Sequence, residues 1–187
     1  QLNITFILLE CPSGLLIIDQ HTAEERVLFE KIQQEYNSKN ISKQGLLTPI
    51  LIELTLSERM ILLENIDKFN AIGFEINHFG GNSFMINSVP SILSSVDIRL
   101  LIIDIIDELK ILGKQDSFDK IIYKIVSVIA CRSAVKAGDI LSKEKIQEII
   151  NNLSKTNYSY NCPHGRPVIV KLSNKEILKL FDRPISS

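Results

Sequence analysis

The residues with the clearest chemical potential follow an apolar run that ends at Ile18. Asp19, His21 and Glu25 supply two carboxylates and an imidazole. If a helix begins near His21, its 3.6-residue period places His21 and Glu25 on the same stripe as its apolar residues, so that both point inward. A carboxylate there needs a cation or hydrogen bonds to offset its burial, and a His four residues away can offer a metal a second ligand. The alternative is an ordinary amphipathic helix with a solvated Glu25.

Sulfur and imidazole groups recur towards the other end of the chain. Cys162 and His164 stand in a short loop that Pro163 and Pro167 stiffen. Both residue types suit Zn²⁺. Together with Cys131, these residues and the N-terminal group make two sulfurs, two imidazoles and two carboxylates, which is the inventory of one closed zinc site or an open two-metal site. The alternative for Cys131 is a buried core thiol.

Composition is that of an ordinary globular protein. The chain has 187 residues, of which 45% are hydrophobic and 23% charged. Its most apolar run is broken by Asp104, and the N-terminus lacks the features of a signal peptide, so we expect a cytoplasmic protein with no membrane partner. An odd count of three cysteines without an export signal favours reduced thiols over disulfides.

Charge is distributed unevenly along the chain. Residues 1–117 carry 9 Lys+Arg and 16 Asp+Glu, net −7, whereas residues 118–187 carry 12 and 6, net +6. Clustered basic residues are typical of surfaces that bind a phosphate backbone, and Arg132 and Arg166 lie beside candidate ligands where they could hold phosphate. A plain solvated surface is the alternative.

The elements that position these residues alternate between β and α periodicity, which predicts an α+β fold. A hairpin turns at Cys11–Gly14, a polar loop covers 37–44, and residues 46–117 hold enough elements for a small lobe of their own. Strands are predicted at 3–9, 15–19, 50–54, 73–78, 83–89 and 168–172. Helices are predicted at 22–37, after Thr55 or Ser57, at 96–112 up to Gly113, at 118–130, at 143–153 and after Ser173.

Four motifs of this chain stand in the order known from one protein family. They are Asp19-Gln20-His21-Thr22 with Glu25 and Glu30, then Ala130-Cys131-Arg132, then Cys162-Pro163-His164-Gly165-Arg166-Pro167, and finally Phe181-x-Arg183. This series resembles that of the endonuclease-type MutL C-terminal domain. One departure is Thr22, where the family usually has Ala.

The resemblance implies roles for individual residues. Asp19, His21 and Glu25 would be catalytic. The metal ligands would be Asp19, His21, Glu25, Cys131, Cys162 and His164. Supporting or phosphate-binding roles would fall to Glu30, Arg132, Arg166 and Arg183. Glu30 matches the motif although its helical phase turns it away from the apolar stripe.

The resemblance also implies a two-lobed α+β protein. A dimerisation and endonuclease lobe would combine residues 1–45 with 118–187, and an inserted regulatory lobe would span 46–117. The expected function is a latent metal-dependent endonuclease that nicks duplex DNA in mismatch repair, as a homodimer with weak, non-specific DNA binding. Zn²⁺, with Mn²⁺ or Mg²⁺ for nicking, would be the cofactors. ATP would act only through an N-terminal region absent from this chain, and a mismatch-recognition protein would be a partner.

A different class of function is a non-catalytic dimerisation and clamp-docking module with a structural zinc site. The ligand inventory alone does not separate the two, although two carboxylates exceed what a structural Cys/His site requires.

A short peptide at the start of the middle lobe suggests a further partner. Gln44, Leu47 and Pro49 are spaced as in the Gln-x-x-Leu-x-Pro peptide that docks on the bacterial sliding clamp, which this stretch resembles. The alternative is a loop leading into a strand, with Leu46 and Leu47 covering the core.

Overall fold

The computed structural model describes residues 1–93, 96–112, 116–157 and 160–184. Over these residues the α+β prediction is confirmed. The strands are β1 (Phe6–Cys11), β2 (Gly14–Asp19), β3 (Lys43–Glu53), β4 (Glu75–Gly80), β5 (Ser83–Pro90) and β6 (Ile169–Ser173). The helices are α1 (Gln20–Asn37), α2 (Leu56–Ala71), α3 (Ile98–Lys110), α4 (Phe118–Ser133), α5 (Lys143–Leu153) and α6 (Asn174–Leu180).

The chain divides into two compact units. One, the discontinuous unit, combines Gln1–Leu28 with Ala134–Ser187, and the other, the continuous unit, is Phe29–Ser133. These bounds differ from the predicted lobes of 1–45 with 118–187 and 46–117. The assignment of dimerisation, nuclease and regulatory roles to those lobes stays a prediction.

The discontinuous unit is built on a three-stranded antiparallel sheet in the order β1-β2-β6. The predicted hairpin is confirmed, with Cys11 paired to Gly14 at its turn. Ile7 pairs with Ile18 and Ile18 with Ile169, so one row of apolar side chains crosses all three strands on the buried face. Buried members of this core are Ile7, Ile18, Ala23, Ile149, Leu153, Cys162 and Val168.

Gly14 is required by the geometry of this hairpin. Its φ is +140°, a conformation that side-chain-bearing residues rarely adopt. A Cβ at this position would also collide with the backbone carbonyl of Leu172 on the adjacent strand. β2 and β6 can therefore pair closely only because this position has no side chain.

The continuous unit contains a second antiparallel sheet, in the order β3-β5-β4. α2 starts at a capping box in which Thr55 and Glu58 each bond the other's backbone N–H. The buried core of the continuous unit is almost entirely aliphatic and aromatic. It includes four fully buried residues of α3, which are Leu101, Ile102, Ile105 and Ile106. Such a core needs no ligand to hold it together.

Several predicted elements of this unit had the wrong bounds, among them β4, which spans Glu75–Gly80 rather than 73–78, and the two described next. β3 begins at Lys43 rather than at Ile50, because backbone pairing of Lys43, Gln44 and Gly45 with β5 extends the strand through a stretch whose polar composition favoured a loop. α3 begins at Ile98 rather than at Val96, since the side chain of Asp97 caps its first turn. The predicted stop at Gly113 lies outside the described residues.

Among the described residues, no helix has the length and apolar character needed to cross a bilayer.

Candidate metal site

Asp19 stands at the junction between β2 and α1. Its Oδ1 accepts hydrogen bonds from the backbone N–H groups of His21 (2.9 Å) and Thr22 (3.0 Å). These amides have no partner within the helix, so the carboxylate caps its first turn. The cap fixes where α1 begins and hence which way the side chains of its first two turns point.

Glu25 lies one turn further along α1 and is almost completely buried, with 2% of its surface exposed. Its Oε1 lies 2.5 Å from Nδ1 of His164, and its Oε2 lies 4.0 Å from Nε2 of His21. A buried carboxylate requires such compensation. The alternative of a solvated Glu25 is therefore wrong.

The loop that carries Cys162 and His164 is a tight turn. The N–H of Gly165 donates to the carbonyl of Cys162, and the N–H of Cys162 donates to the carbonyl of Arg166, each at 2.9 Å. Gly165 has a φ of +81°, which permits the bend. Nε of Arg26, a buried residue of α1, donates to the carbonyl of Asn161 at 2.6 Å and so ties the helix to this loop.

One oxygen of Glu25, the sulfur of Cys162 and one ring nitrogen of His164 lie within 4.8 Å of one another. Burial raises the pKa of the Cys162 thiol, with Glu25 adding to the effect, although backbone N–H groups at His164 and Arg166 act in the opposite sense. The thiol is thus protonated at neutral pH unless a cation displaces the proton. The cluster contains the three donor types that Zn²⁺ accepts.

The imidazole of His21 is held from outside the cluster. Its Nδ1 lies 2.8 Å from the carbonyl oxygen of Val135, which can only accept a hydrogen bond. Nδ1 is therefore the nitrogen that donates, and in the neutral form of the ring the lone pair is on Nε2, which faces Glu25. Metal-bound histidines in proteins usually donate their other ring N–H to a carbonyl or carboxylate in the same way, and this bond fixes the tautomer and the orientation of the ring.

The remaining predicted site residues are distributed over the two units. Cys131 and Arg132 lie at the end of α4 in the continuous unit, where Arg132 pairs with Asp104. Glu30 is 6% exposed, so the expectation from helical phase that it faces away from the buried side of α1 is wrong. Arg166 and Arg183 are exposed residues of the discontinuous unit.

The clamp-like peptide lies in the first half of β3, an edge strand. Pairing with β5 is regular up to Gly45 and resumes at Ile50, with an irregularity between them. Gln44 and Pro49 are exposed, and Leu47 is fully exposed. The alternative in which Leu47 covers the core is therefore wrong.

Sequence reasoning missed two buried polar residues of α1, Gln20 and Glu24. Both are at most 7% exposed and bind the backbone of residues 134–139. Their i, i+4 spacing at the start of a helix was a usable signal, because His21 and Glu25 repeat it one residue later.

The fold and the cluster define an α+β domain with a partly buried group of potential metal ligands. The family described as MutL C-terminal dimerisation domain matches residues 1–141. This chain belongs to that family.

Proteins called DNA mismatch repair protein MutL are similar over nearly the whole chain. The one from Geotalea daltonii is 37% identical over 183 residues, which are 98% of this chain and 31% of the relative. Those from Clostridium tetani and from Clostridium botulinum strain Kyoto are 39% and 41% identical, over 29% and 27% of their lengths. The chain thus spans about three tenths of the length of these relatives.

Proposed function

We propose that this chain is the endonuclease domain of a mismatch repair protein and nicks duplex DNA with the help of divalent metal ions. The observation that carries the proposal is the buried carboxylate of Glu25 within reach of Cys162 and His164. Burial of the Glu25 carboxylate and the Cys162 thiol is costly unless they bind something, and a purely apolar core would hold the same elements together more cheaply.

The residues fit a divalent ion by their donor chemistry. Carboxylate, thiolate and imidazole are the zinc ligands of proteins, and His21 offers a further ring nitrogen. The family resemblance adds Asp19 and Cys131 to the proposed set. Carboxylate oxygens also suit Mn²⁺ or Mg²⁺, which we propose as the ions that support nicking.

A bound ion would supply a water of lowered pKa and positive charge beside the scissile phosphate. The other tasks fall to the chain itself. Glu25 is held in one orientation by burial and by its bond to His164, and Nε2 of His21 can accept a proton. The exposed guanidinium groups of Arg166 and Arg183 would bind flanking phosphates. We assign Glu30 and Arg132 supporting roles.

The test is nicking of supercoiled plasmid in Mn²⁺ by the chain joined to a MutL N-terminal region. Glu25→Gln keeps the shape of the side chain but removes its charge, so nicking is expected to fall by about 100-fold or more. Glu75→Gln, at an exposed position of β4, is the matched control and should leave nicking unchanged. Full activity of Glu25→Gln would exclude the proposed role of this carboxylate.

The alternative function is a dimerisation and clamp-docking module whose zinc is structural. The buried Cys162 favours it, since thiolates dominate structural zinc sites. Under this alternative, Glu25→Gln would lower bound zinc and thermal stability, and the parent protein would show no nicking in Mn²⁺.

We further propose a homodimer, as the family description indicates, formed by the lobe of residues 1–45 and 118–187. The face of the β1-β2-β6 sheet opposite its core supports this. Leu8, Ile17 and Val170 form a continuous row across the three strands, and Leu8 and Val170 are 39% and 49% exposed. An apolar sheet face of this kind is typical of an interaction surface.

DNA binding by the chain alone should be weak. The +6 segment is offset by the −7 segment, so we propose a non-specific affinity of about 10⁻⁴ to 10⁻⁶ M that falls with salt. ATP, acting through an N-terminal region, and a mismatch-recognition protein are proposed to control when nicking occurs.

A nuclease that binds DNA weakly would benefit from a peptide that docks it on a DNA-bound partner. A sliding clamp that binds Gln44, Leu47 and Pro49 would raise the effective concentration of the nuclease on DNA. Full exposure of Leu47 on an edge strand supports this proposal, because an isolated leucine there gains burial only from a partner.

Gln44→Ala with Leu47→Ala should remove clamp-stimulated nicking and spare nicking without the clamp. Leu100→Ala, at another exposed leucine, serves as the control. Undiminished stimulation of the double variant would refute the docking assignment.

A further inference from the structure

Gln20 is a fully buried residue of α1. Its side-chain amide binds mainly backbone carbonyls and none of the candidate metal ligands. Its Nε2 lies 2.6 Å from the carbonyl oxygen of Lys136 and 3.1 Å from that of Asp139. Its Oε1 accepts from the side-chain amide of Gln1. A buried amide with this many partners holds the 136–139 backbone against the start of α1.

Glu24, one turn further on, holds the same segment at a second point. Its Oε2 accepts from the N–H of Val135 at 2.6 Å, and its Oε1 lies 2.6 Å from Nζ of Lys145. Partial burial alone would lower the pKa of Lys145, but the hydrogen bonds and charges of Glu24 and Glu148 together outweigh it and leave the pKa above its usual value. Lys145 therefore keeps its positive charge at neutral pH beside the Glu24 carboxyl group.

Both polar groups of Val135 are thus engaged by side chains of the same helix. Its N–H donates to Glu24, and its carbonyl accepts from Nδ1 of His21. A carbonyl held in place forces the neutral imidazole into the tautomer with its proton on Nδ1. A carbonyl that moved by about 1 Å would lose this hydrogen bond, and the ring could rotate or change tautomer.

We propose that Gln20 and Glu24 are positioning residues that hold the 135–139 backbone so that Val135 fixes the tautomer and orientation of His21. They act through the Val135 carbonyl, and the consequence is a lone pair on Nε2 of His21 directed to the side of Glu25. The value of this arrangement for chemistry rests on the proposed function, but the arrangement itself does not depend on it.

The first readout is the pair of ring ¹⁵N chemical shifts of His21 in the metal-free protein at pH 8.5, where an imidazole is ordinarily neutral. The parent should show Nδ1–H and an unprotonated Nε2. Glu24→Leu removes the acceptor for Val135 and should shift the ring to a mixture or to Nε2–H. Glu24→Gln keeps an acceptor and should retain the parent tautomer, as should Lys145→Met, which removes only the outer ion pair.

Gln20→Met keeps the volume of the side chain and provides a second route if Glu24→Leu does not fold. It removes the hydrogen bonds from Nε2 of Gln20 to the carbonyls of Ile4, Lys136 and Asp139 and should move the tautomer in the same direction. An unchanged Nδ1–H tautomer in a folded Glu24→Leu or Gln20→Met variant would overturn the inference, because the two residues would then be structural only.

The second readout is affinity for Zn²⁺ alone, measured by competition with a chromophoric chelator. Loss of a partner that orients a ligand typically costs 10- to 100-fold, so Glu24→Leu should weaken binding by about that factor and Glu24→Gln by much less. If the parent binds no Zn²⁺ and does not nick DNA, the proposed function fails. The tautomer experiment still decides whether Gln20 and Glu24 position His21.

Discussion

Arg26 is a side chain outside the cluster of Glu25, Cys162 and His164 that helps to determine the geometry of this cluster. It is 7% exposed, and its Nε donates to the carbonyl of Asn161, the residue before Cys162. Arg26→Met keeps an apolar stem but leaves that carbonyl without its charged donor. We expect a loss of about 1–3 kcal/mol in the free energy of unfolding, measured in urea. Lys155→Met, at an exposed position, should change it by less than about 0.5 kcal/mol.

The sequence indicates which candidate ligands come together but not which backbone groups hold them. Glu25, Cys162 and His164 could be predicted because their residue types and motif spacing are unusual for a core. The i, i+4 spacing of Gln20 and Glu24 marks them as a pair, but it does not identify their partners, which are backbone groups of a segment more than 110 residues away.

At the scale of single elements, the hairpin between β1 and β2 depends on Gly14. Gly14→Ala combines a strained φ with a backbone collision, so we expect a loss of at least about 1–3 kcal/mol in the free energy of unfolding. Gly45→Ala is the matched control, because a Cβ there meets nothing within 4 Å. Equal stability of the two variants would contradict the geometry at Gly14.

The capping box of α2 predicts a pH dependence. Hydrogen bonds from the backbone N–H and then the side chain of Thr55 hold the pKa of Glu58 below its usual range. A lowered folded-state pKa stabilises the fold above the usual value of about 4.3 and loses this effect as the pH falls through the lowered pKa. The stability difference between the parent and Glu58→Gln should therefore be largest near neutral pH and shrink below about pH 4.

Thermal unfolding of both proteins from pH 3 to pH 7 measures this difference. A constant difference across that range would show that ionised Glu58 makes no net contribution. Thr55→Ala, which removes the other half of the box, should cost about 1 kcal/mol in the free energy of unfolding.

Elements were predictable where periodicity and capping agreed. The hairpin, α2 with its Thr55 cap and α5 after Ser142 follow local rules. The start of β3 could not be predicted from local rules. Lys43, Gln44 and Gly45 have low strand propensity and become a strand only through pairing with β5.

At the scale of the whole molecule, the exposed apolar row on the β1-β2-β6 sheet predicts how dimerisation can be disrupted. Leu8→Glu with Val170→Glu would bring four carboxylates into a two-fold interface, and the apparent Kd of the dimer should rise by about 100-fold or more. Sedimentation at micromolar concentration measures it. Leu100→Glu should leave the dimer intact, and a dimer that survives the double change would place the interface elsewhere.

The discontinuous unit also imposes an order of events during protein synthesis. Its first segment ends at Leu28, and its second begins only at Ala134. At about 5–20 residues per second, the ribosome needs on the order of 5–20 s to make the intervening stretch. During that time the hairpin of β1 and β2 lacks β6, and Glu25 lacks Cys162 and His164. A nascent chain therefore cannot assemble the cluster of Glu25, Cys162 and His164 until the residues up to His164 have been synthesised.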